Sequence, residues 1–586
     1  MGSQRKIEKI LVANRGEIAI RIFRAAKDMG LGSVAIYSDI DRDALHNSFA
    51  DEAYNVGETA PATSYLNIGK ILEIAKRSGV DAIHPGYGFL AENPRFAFAV
   101  EEAGLIWIGP PPSAIEMMGD KVSARKAAAS QDVQSVPGTL EPIDDPARIA
   151  RFAAEHGWPV ALKAAHGGGG RGFRVVHEES EAAAAFDGAG REAQVAFGNP
   201  ELYLERYLEE PRHIEVQVLG DHHGNLVHLG ERDCSLQRRH QKLIEESPSP
   251  VVDADLREQM GAAAVKVAKA AGYYSAGTVE FLLEQTPEGP KFWFLEMNTR
   301  LQVEHPVTEL VTGMDLAKKM ILIAGGEPLG IEQQDVSLRG HAIEMRINAE
   351  NPARNFLPSP GLIAGYSEPT GPGVRVDSGV IAGSQIPQSY DSLIAKLVCY
   401  GADRQEAISR GLRALDEFKI EGLRTTIPFH KLALQSDWFA AGEFSTKTVE
   451  NDLDLSVLKE QVANGAAADK VFSRTFTVEV EGKRLQAKVT EKKDPSSGKP
   501  KPPDLSKASR NTGTGETLTA PMQGTIVKTL VEVGAPVKAG ENIIVLEAMK
   551  MENMIHCTRD GVLKELKVKQ GETVPAGAAL AVIEST

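Results

Sequence analysis

A lysine near the C-terminus is placed where it could carry a group covalently. Lys550 stands between Met549 and Met551, and apolar side chains are normally kept out of exposed turns. The stretch before it is repeated after it at one constant offset: Gly524, Val537 and Gly540 recur as Gly561, Val574 and Gly577. A repeat of this length indicates one structural unit used twice. We therefore expect a small β-barrel or sandwich that presents Lys550 at the hairpin tip between its halves.

A glycine-rich segment is suited to holding phosphate. Gly168, Gly169 and Gly170 lie between two apolar stretches, 159–165 and 173–176, which predicts a β-hairpin with the glycines at its tip. Glycines let backbone N–H groups approach an anion closely. Lys163 on the preceding strand adds a cation. The segment lacks GxxxxGK[ST], so it is not a Walker loop.

Alternating polar residues after an apolar strand predict a metal and anion site. In extended backbone Glu296, Asn298, Arg300, Gln302 and Glu304 would share one face. Carboxylates on buried strands are costly unless they bind a cation or another partner. Oxygen ligands together with phosphates are what Mg²⁺ prefers. The predicted metal ligands are Glu280, which lies within another apolar strand, Glu296 and Asn298.

Two further segments carry weaker signals. Arg238, Arg239, His240 and Lys242 form a basic cluster in an acidic chain, which favours an anion site. Tyr87 lies between two glycines after a predicted strand, and we expect it to be exposed in a turn.

Composition excludes several classes of protein. The 586 residues have a net charge of −15, which argues against nucleic-acid binding because such proteins need a basic face. Three widely spaced cysteines form neither a disulfide framework nor a CxxC zinc pattern, and they fit a reducing compartment. The sequence has no apolar run long enough for a membrane helix. We expect a cytoplasmic location and no nucleic-acid or membrane partner.

The elements that must position these residues follow coarsely from the sequence. The first 40 residues indicate strand, helix and strand, the start of a parallel sheet. Near residue 450 the pattern changes to a short helix, 455–462, and a hairpin, 475–489. Residues 491–517 are almost entirely polar and predict a flexible linker.

Together these motifs resemble biotin carboxylase fused to its biotin carrier, as in acetyl-CoA or propionyl-CoA carboxylase α subunits, with a bacterial length. The motifs that carry the resemblance are Ala13-Asn14-Arg15-Gly16-Glu17, the turn at 84–93, the glycine hairpin, 231–242, 296–306, Tyr390-Asp391-Ser392, and Ala548-Met549-Lys550-Met551. Phe173 and His166 depart from the common pattern of the glycine hairpin, which puts only the packing of the lid in question.

The resemblance implies a multidomain α/β and α+β fold. The expected parts are a Rossmann-like preATP-grasp domain at 5–118, an ATP-grasp domain at 119–330 with a mobile lid at about 135–205, a biotin carboxylase C-terminal domain at 331–447, a helix–hairpin docking region at 448–490, the linker at 491–517 and an all-β biotinyl (lipoyl-like) barrel at 518–585.

The resemblance also implies roles for individual residues. Glu304 would be the general base that deprotonates bicarbonate, Arg300, Gln302 and the Val303 backbone would hold bicarbonate, Lys242 would contact carboxyphosphate, and Arg346 would stabilise negative charge on biotin. Tyr87 would lie near the biotin pocket, and Lys550 would be biotinylated. The implied ATP-binding residues are Lys121, Lys163, Gly168, Gly169, Gly170, Glu205, Leu208, His213, Gln237, His240, Glu280 and Glu296.

The implied cofactors are biotin on Lys550, ATP, and Mg²⁺ or Mn²⁺. The implied partners are bicarbonate, a biotin protein ligase, and a carboxyltransferase β subunit that binds the acyl-CoA, since no segment here resembles a carboxyltransferase. An α subunit for pyruvate, urea or methylcrotonyl-CoA carboxylation stays open. So do an amidoligase-like or carbamoyl-phosphate ATP-grasp enzyme with a lipoyl-type tail, and a non-catalytic carrier.

Overall fold

The computed structural model describes residues 6–139, 141–164, 173–197, 199–458, 471–480, 483–492, 515–521, 524–548, 551–575 and 577–584. The chain divides into two compact units. The first comprises Met1–Glu350, Ser359–Pro387 and Leu393–Leu453; the second comprises Asn351–Pro358, Gln388–Ser392 and Asp454–Thr586. Within the described residues, no helix has the length and apolar character needed to cross a bilayer.

The first unit begins with a five-stranded parallel sheet in the order β3-β2-β1-β4-β5. Its elements are β1 Lys9–Val12, α1 Gly16–Asp28, β2 Gly32–Ser38, β3 Glu52–Gly57, α2 Ile68–Ser78, β4 Ala82–His84, α3 Pro94–Glu102 and β5 Ile106–Trp107. Asn67 and Asn93 accept hydrogen bonds from the first turns of α2 and α3, as N-cap residues do. The predicted parallel start is confirmed, with the strand ends shifted by a residue.

A smaller sheet follows in the order β7-β6-β8, with its own apolar core. The elements in this part of the chain are α4 Pro112–Gly119, α5 Lys121–Ala129, α6 Ala147–His156, β6 Val160–Ala164, β7 Phe173–Val176, α7 Ala182–Phe197 and β8 Leu202–Arg206. Lys163 on β6 pairs with Phe173 on β7 in an antiparallel ladder, so the predicted hairpin is confirmed. Its glycine tip, with Gly168, Gly169 and Gly170, lies outside the described residues.

An eight-stranded antiparallel sheet, in the order β13-β12-β9-β10-β11-β14-β21-β19, forms the floor of the site. The elements that build and flank it are β9 Arg212–Gly220, β10 Leu226–Arg238, β11 Gln241–Ser247, α8 Ala254–Ala270, β12 Ser275–Thr286, β13 Gly289–Asn298, α9 His305–Thr312, α10 Leu316–Ala324, β14 His341–Asn348, β15 Glu350–Asn351, β16 Leu357–Pro358, β17 Gly361–Leu362, β18 Gly365–Ser367, β19 Val374–Ser378, β20 Gln385–Ile386 and β21 Leu393–Gly401. Residues Arg239 and His240 turn between β10 and β11 with positive φ angles of 47° and 64°.

The first unit closes with α11 Arg404–Glu417, β22 Lys419–Glu421, α12 Ile427–Leu434, α13 Asp437–Ala441 and α14 Thr448–Asn451. The strands β23 Val471–Val480 and β24 Lys483–Lys492 form the predicted hairpin. Most of the predicted helix at 455–462 lies outside the described residues.

Two four-stranded sheets, β25-β32-β30-β27 and β29-β28-β26-β31, enclose the apolar core of the C-terminal domain. Their strands are β25 Gly515–Thr519, β26 Gly524–Thr529, β27 Pro536–Val537, β28 Asn542–Ala548, β29 Met551–His556, β30 Gly561–Leu566, β31 Thr573–Val574 and β32 Ala579–Glu584. The predicted repeat is confirmed, because β26, β27 and β28 correspond to β30, β31 and β32.

The predicted linker at 491–517 is too long at both ends. Glu491 and Lys492 belong to β24, and residues 515–517 belong to β25, which pairs with β32. Polar side chains do not prevent a strand when a neighbouring strand supplies its backbone hydrogen bonds. Residues 493–514 lie outside the described part of the chain.

Candidate active site

The site is centred on a buried lysine. Lys242 Nζ lies 2.5 Å from Glu215 Oε2, 2.9 Å from Glu280 Oε1 and 2.7 Å from Glu304 Oε1. Strands β11, β9 and β12 and the start of α9 bring these four side chains together. Burial opposes the charge, but the three carboxylates outweigh it and raise the pKa of Lys242 well above its ordinary value. Lys242 therefore keeps its positive charge at this end of the sheet.

Glu304 is held ionised between two cations. Its Oε2 accepts a hydrogen bond of 2.8 Å from Arg346 Nη2, while Lys242 binds the other oxygen. Burial disfavours the carboxylate, but Lys242, Arg346 and Arg232 together hold the pKa of Glu304 well below its usual range. The carboxylate is fully buried, so it can act only on a substrate that enters this cluster.

A further carboxyl group, that of Glu245, supports Arg346. Glu245 Oε1 accepts from Arg346 Nε at 2.6 Å, and Glu245 lies directly opposite Glu344 in the β11–β14 ladder. Burial raises the pKa of Glu245 to about 7 and that of Glu344 well above its ordinary value. Arg346 is thus oriented by one carboxyl toward Glu304.

The predicted metal ligands meet on neighbouring strands. Glu280 on β12 pairs with Glu296 on β13, and Asn298 Nδ2 donates to Glu280 Oε1 at 2.9 Å. Burial and the neighbouring Glu280 raise the pKa of Glu296. A divalent cation between two facing carboxylates would remove this repulsion, so the residues fit Mg²⁺. His213 Nε2 lies 2.9 Å from Glu280 Oε2 and could serve as a further ligand.

The predicted extended face is wrong beyond Asn298. Strand β13 ends there, and the following residues form a loop that runs into helix α9 at His305. The loop nevertheless returns its side chains to the site. Arg300 donates to Asn298 Oδ1 at 3.0 Å and to Gln302 Oε1 at 2.8 Å, and Gln302 Nε2 reaches Glu280 at 3.4 Å. A leucine at 301, fully buried, anchors the loop.

The predicted nucleotide residues lie in two groups, one around Glu205 and one around Glu296. Lys163 on β6 and Arg125 on α5 both donate to Glu205 on β8, the latter at 2.9 Å. Burial works against ionisation of Glu205, but these two cations lower its pKa. Lys121 begins α5 and lies close enough to Glu296 to offset part of the rise in the pKa of that carboxyl group.

Three predicted residues make less of a contribution to the cluster. Leu208 is buried, and its carbonyl accepts from Lys447 Nζ at 3.4 Å. Gln237 is buried on β10, opposite Lys242 in the ladder. His240 is exposed in the turn between β10 and β11, two residues before Lys242.

Tyr87 is half-buried, which corrects the prediction that it is exposed. Its hydroxyl donates to Glu17 Oε1, and a turn glycine on each side adopts positive φ. Burial raises the pKa of Glu17 to about 7. The tyrosine is thus tied to the first turn of α1.

The sequence interpretation missed several members of the cluster. Glu215 and Arg232 are fully buried and joined at 2.5 Å, and Lys396 is fully buried on β21. Lys396 is a lone charge within the apolar strand β21, a signal that could have marked it, whereas Glu215 and Arg232 lie in strands that carry other charged residues. Cys234 lies 3.9 Å from Glu304 and burial raises its pKa well above the usual value, so it is a neutral thiol. All three cysteines of the chain are free and buried.

Lys550 lies outside the described residues. The strands beside it, β28 and β29, pair antiparallel as far as Ala548 and Met551. Residues 549 and 550 stand between these paired ends in the sequence, and the predicted attachment of a group at Lys550 stays a prediction.

Comparison with known families covers nearly the whole chain. Four family models match it in order: "Biotin carboxylase, N-terminal domain" at 6–115, "Carbamoyl-phosphate synthase L chain, ATP binding domain" at 120–332, "Biotin carboxylase C-terminal domain" at 344–451 and "Biotin-requiring enzyme" at 516–583.

The chain is also similar to individual proteins. It is 48% identical to the biotin-dependent acyl-coenzyme A carboxylase alpha3 subunit of Mycobacterium leprae over 99% of both chains. It is 54% identical to a pyruvate carboxylase subunit of Methanothermobacter thermautotrophicus, over 75% of this chain and 89% of that one.

Among solved structures, the biotin carboxylase domain of Hydrogenobacter thermophilus 2-oxoglutarate carboxylase, in complex with MgADP, ADP and bicarbonate, has a TM-score of 0.69 and 46% identity. The match covers 77% of this chain and all of that one. The site geometry and these matches support biotin, ATP and Mg²⁺ as cofactors. The chain belongs to the α subunits of biotin-dependent acyl-CoA carboxylases, ATP-dependent ligases that join a biotin carboxylase to a biotin-bearing domain.

Proposed function

We propose that this chain uses ATP to carboxylate biotin on Lys550 with bicarbonate, and that a separate carboxyltransferase β subunit transfers the carboxyl group to an acyl-CoA such as acetyl-CoA or propionyl-CoA. The observation that carries the choice of acyl-CoA is the match to the Mycobacterium leprae acyl-coenzyme A carboxylase subunit, which extends through the biotin-bearing end.

The proposed domains are 5–118, 119–330, 331–447, the docking region and the carrier.

Glu304 is the proposed general base toward bicarbonate. Its carboxylate is ionised and buried between Lys242 and Arg346, so it is ready to accept a proton but is a weak base while both cations bind it. Lys242 is proposed to contact carboxyphosphate. Movement of its ammonium toward that anion would release Glu304 and strengthen the base, which couples proton transfer to the arrival of phosphate.

The loop before α9 is proposed to hold bicarbonate. Arg300, Gln302 and the Val303 N–H supply donors at the edge of the Lys242 cluster, and Arg300 is already oriented by Asn298 and Gln302. Arg346 is permanently charged and is proposed to stabilise negative charge that develops in the reaction.

The nucleotide would be held by both groups of cations. Lys121, Lys163, His213, Gln237, His240 and the glycines at 168–170 are proposed to contact phosphates or ribose, with Glu205 and Leu208 near the base. Lys163 now pairs with Glu205, so the pair must reorganise for Lys163 to reach a phosphate. Mg²⁺ held by Glu280, Glu296 and Asn298 would neutralise phosphate charge.

Biotin, attached to Lys550 by a biotin protein ligase, supplies a nitrogen that takes up the carboxyl group. Tyr87, Gln302 and Arg346 are proposed to lie beside the biotin that enters the site. Tyr87 is fixed through Glu17, so it can bound the pocket without a large rearrangement.

A second candidate is the α subunit of a carboxylase for another acceptor, namely pyruvate, urea or methylcrotonyl-CoA. The observation in its favour is that a pyruvate carboxylase subunit is 54% identical over the catalytic part. That match leaves the acceptor open because it concerns the part that handles ATP and bicarbonate.

The test is to co-purify the full-length chain with its β partner and to measure ¹⁴C-bicarbonate fixation with acetyl-CoA, propionyl-CoA, longer acyl-CoAs, methylcrotonyl-CoA, pyruvate and urea. We expect fixation with a saturated acyl-CoA and none with pyruvate or urea. Fixation only with pyruvate, urea or methylcrotonyl-CoA would establish the second candidate.

A further inference from the structure

Two consecutive carbonyl groups in the loop before α9 are held from behind. The Gln302 carbonyl accepts a hydrogen bond of 2.7 Å from His305 Nδ1, and the Val303 carbonyl accepts one of 2.9 Å from Lys396 Nζ. In a trans peptide the C=O and N–H groups point in opposite directions. The N–H groups of Val303 and Glu304 are therefore directed away from His305 and Lys396.

The donor behind Val303 is an unusual residue for its place. Lys396 lies in the middle of β21 and is fully buried, although lysine is almost never fully buried unless it is paired. It lies opposite Arg346 on β14 and opposite Asp377 on β19. The ladder thus places Lys396 beside the arginine that binds Glu304.

The remaining contacts of Lys396 restrict its position. Its ammonium lies 3.2 Å from Glu17 Oε1, 4.0 Å from Asp377 Oδ2 and 5.6 Å from the centre of the Tyr87 ring. Two carboxylates and a ring therefore surround the ammonium on three sides. Its shortest contact is the hydrogen bond to the Val303 carbonyl.

Glu17, which binds the Lys396 ammonium, is itself held in place by close backbone packing. A Cβ atom on Gly379, which follows β19, would lie 2.7 Å from the Glu17 backbone nitrogen. The start of α1 is therefore packed directly against backbone that follows the strand carrying Asp377. This close approach fixes Glu17 and Asp377 relative to each other, and Lys396 bridges them.

We propose that Lys396 is a positioning residue for bicarbonate: by holding the Val303 carbonyl, it orients the backbone N–H donors of the 302–304 loop toward the anion. His305 performs the same task one peptide earlier. This inference rests on the proposed function, because it requires that this loop holds bicarbonate.

The experiment compares Lys396→Met with Arg404→Met in the full-length chain. Arg404 is a matched control because it is also a mostly buried cation, paired with Glu246 at 2.7 Å, and its partners lie away from the loop. Bicarbonate-dependent ATP hydrolysis is measured with free biotin. For Lys396→Met we expect the KM for bicarbonate to rise about tenfold or more and the KM for ATP to change less than about twofold, since misdirected donors weaken only the anion site.

Loss of a buried charge can prevent folding, so the double variant Lys396→Met/Glu17→Gln is made as well. It removes one cation and one carboxylate together, and it should show the same selective rise in the KM for bicarbonate. If Lys396→Met, or the double variant in its place, changes both KM values no more than Arg404→Met does, the positioning role is wrong. If the wild-type chain itself shows no bicarbonate-dependent ATP hydrolysis, the proposed function fails instead.

Discussion

At the residue scale, the proposed catalytic cluster is a set of buried charges that depend on one another. Lys242 binds three carboxylates and Arg346 binds Glu304 and Glu245. A buried ion pair is costly to break because the remaining partner loses its compensation. The same interdependence would make the cluster sensitive to an incoming anion, because phosphate or bicarbonate would compete with the carboxylates for the cations.

We predict that Glu304→Gln abolishes bicarbonate-dependent ATP hydrolysis, reducing its kcat by about a hundredfold or more, since a positioned base contributes on this scale. The amide keeps the shape of the carboxyl but cannot accept a proton. The measurement is steady-state ATPase activity with and without bicarbonate. Turnover at the wild-type level would rule out Glu304 as the base.

The matched control is Glu309→Gln. Glu309 is buried on the same helix, α9, and accepts from Arg21 and Arg375 rather than from the cluster. We expect it to lower the melting temperature while leaving most of the bicarbonate-dependent activity, which separates lost stability from lost chemistry.

At the scale of elements, the C-terminal domain shows how a repeated sequence forms an interleaved structure. Strand β26 of the first half pairs with β31 of the second, and β30 of the second half pairs with β27 of the first. Neither half can complete its sheets alone. The repeated glycines have equivalent surroundings: a Cβ on Gly524 or Gly561 would lie 2.4 Å from the carbonyl of Glu547 or Glu584, respectively.

We predict that Gly524→Ala destabilises the C-terminal domain by about 1–3 kcal/mol, because the added methyl group meets backbone that cannot rotate away. Calorimetry on the full-length chain measures the domain's unfolding transition. The control is Gly188→Ala, where a Cβ in helix α7 meets no neighbour. There we expect the free energy of unfolding of the part of the chain that contains α7 to rise by about 0.5–1 kcal/mol. An unchanged transition for Gly524→Ala would contradict the close approach of β26 to β28.

At the scale of the whole molecule, the residues proposed for ATP chemistry and the proposed carrier Lys550 belong to different compact units. Each unit has its own apolar core. Biotin chemistry and acyl transfer should therefore be separable by one substitution in the carrier.

We predict that Lys550→Arg ends carboxylation of the acyl-CoA and leaves ATP-dependent carboxylation of free biotin unchanged. Arginine keeps the charge but its guanidinium does not form the amide bond that holds biotin. The measurements are an avidin blot, ¹⁴C fixation into acyl-CoA with the β partner, and ¹⁴C fixation into free biotin. Survival of acyl-CoA carboxylation would show that Lys550 is not the carrier.

Much of the architecture could be predicted locally. The parallel start, the hairpin around the glycines, the strands at 471–492 and the C-terminal repeat each follow from patterns within a few dozen residues. Two of the errors occurred where the pairing or the end of a strand decided the outcome. Residues 515–517 are polar but form a strand because β32 pairs with them, and β13 ends at Asn298 although the polar alternation continues.

What the sequence determined by itself is the set of chemical groups: the glycine hairpin, the carboxylates near 280 and 296, and the lysine between two methionines, whose resemblance to a known family implied biotin, ATP and Mg²⁺. What only the tertiary structure decided is which charges meet. Lys242 and Glu304 are 62 positions apart and Lys396 and Val303 are 93 apart. The reason is physical: strand register and the packing of α9 on the sheet set these distances, and no local periodicity encodes them.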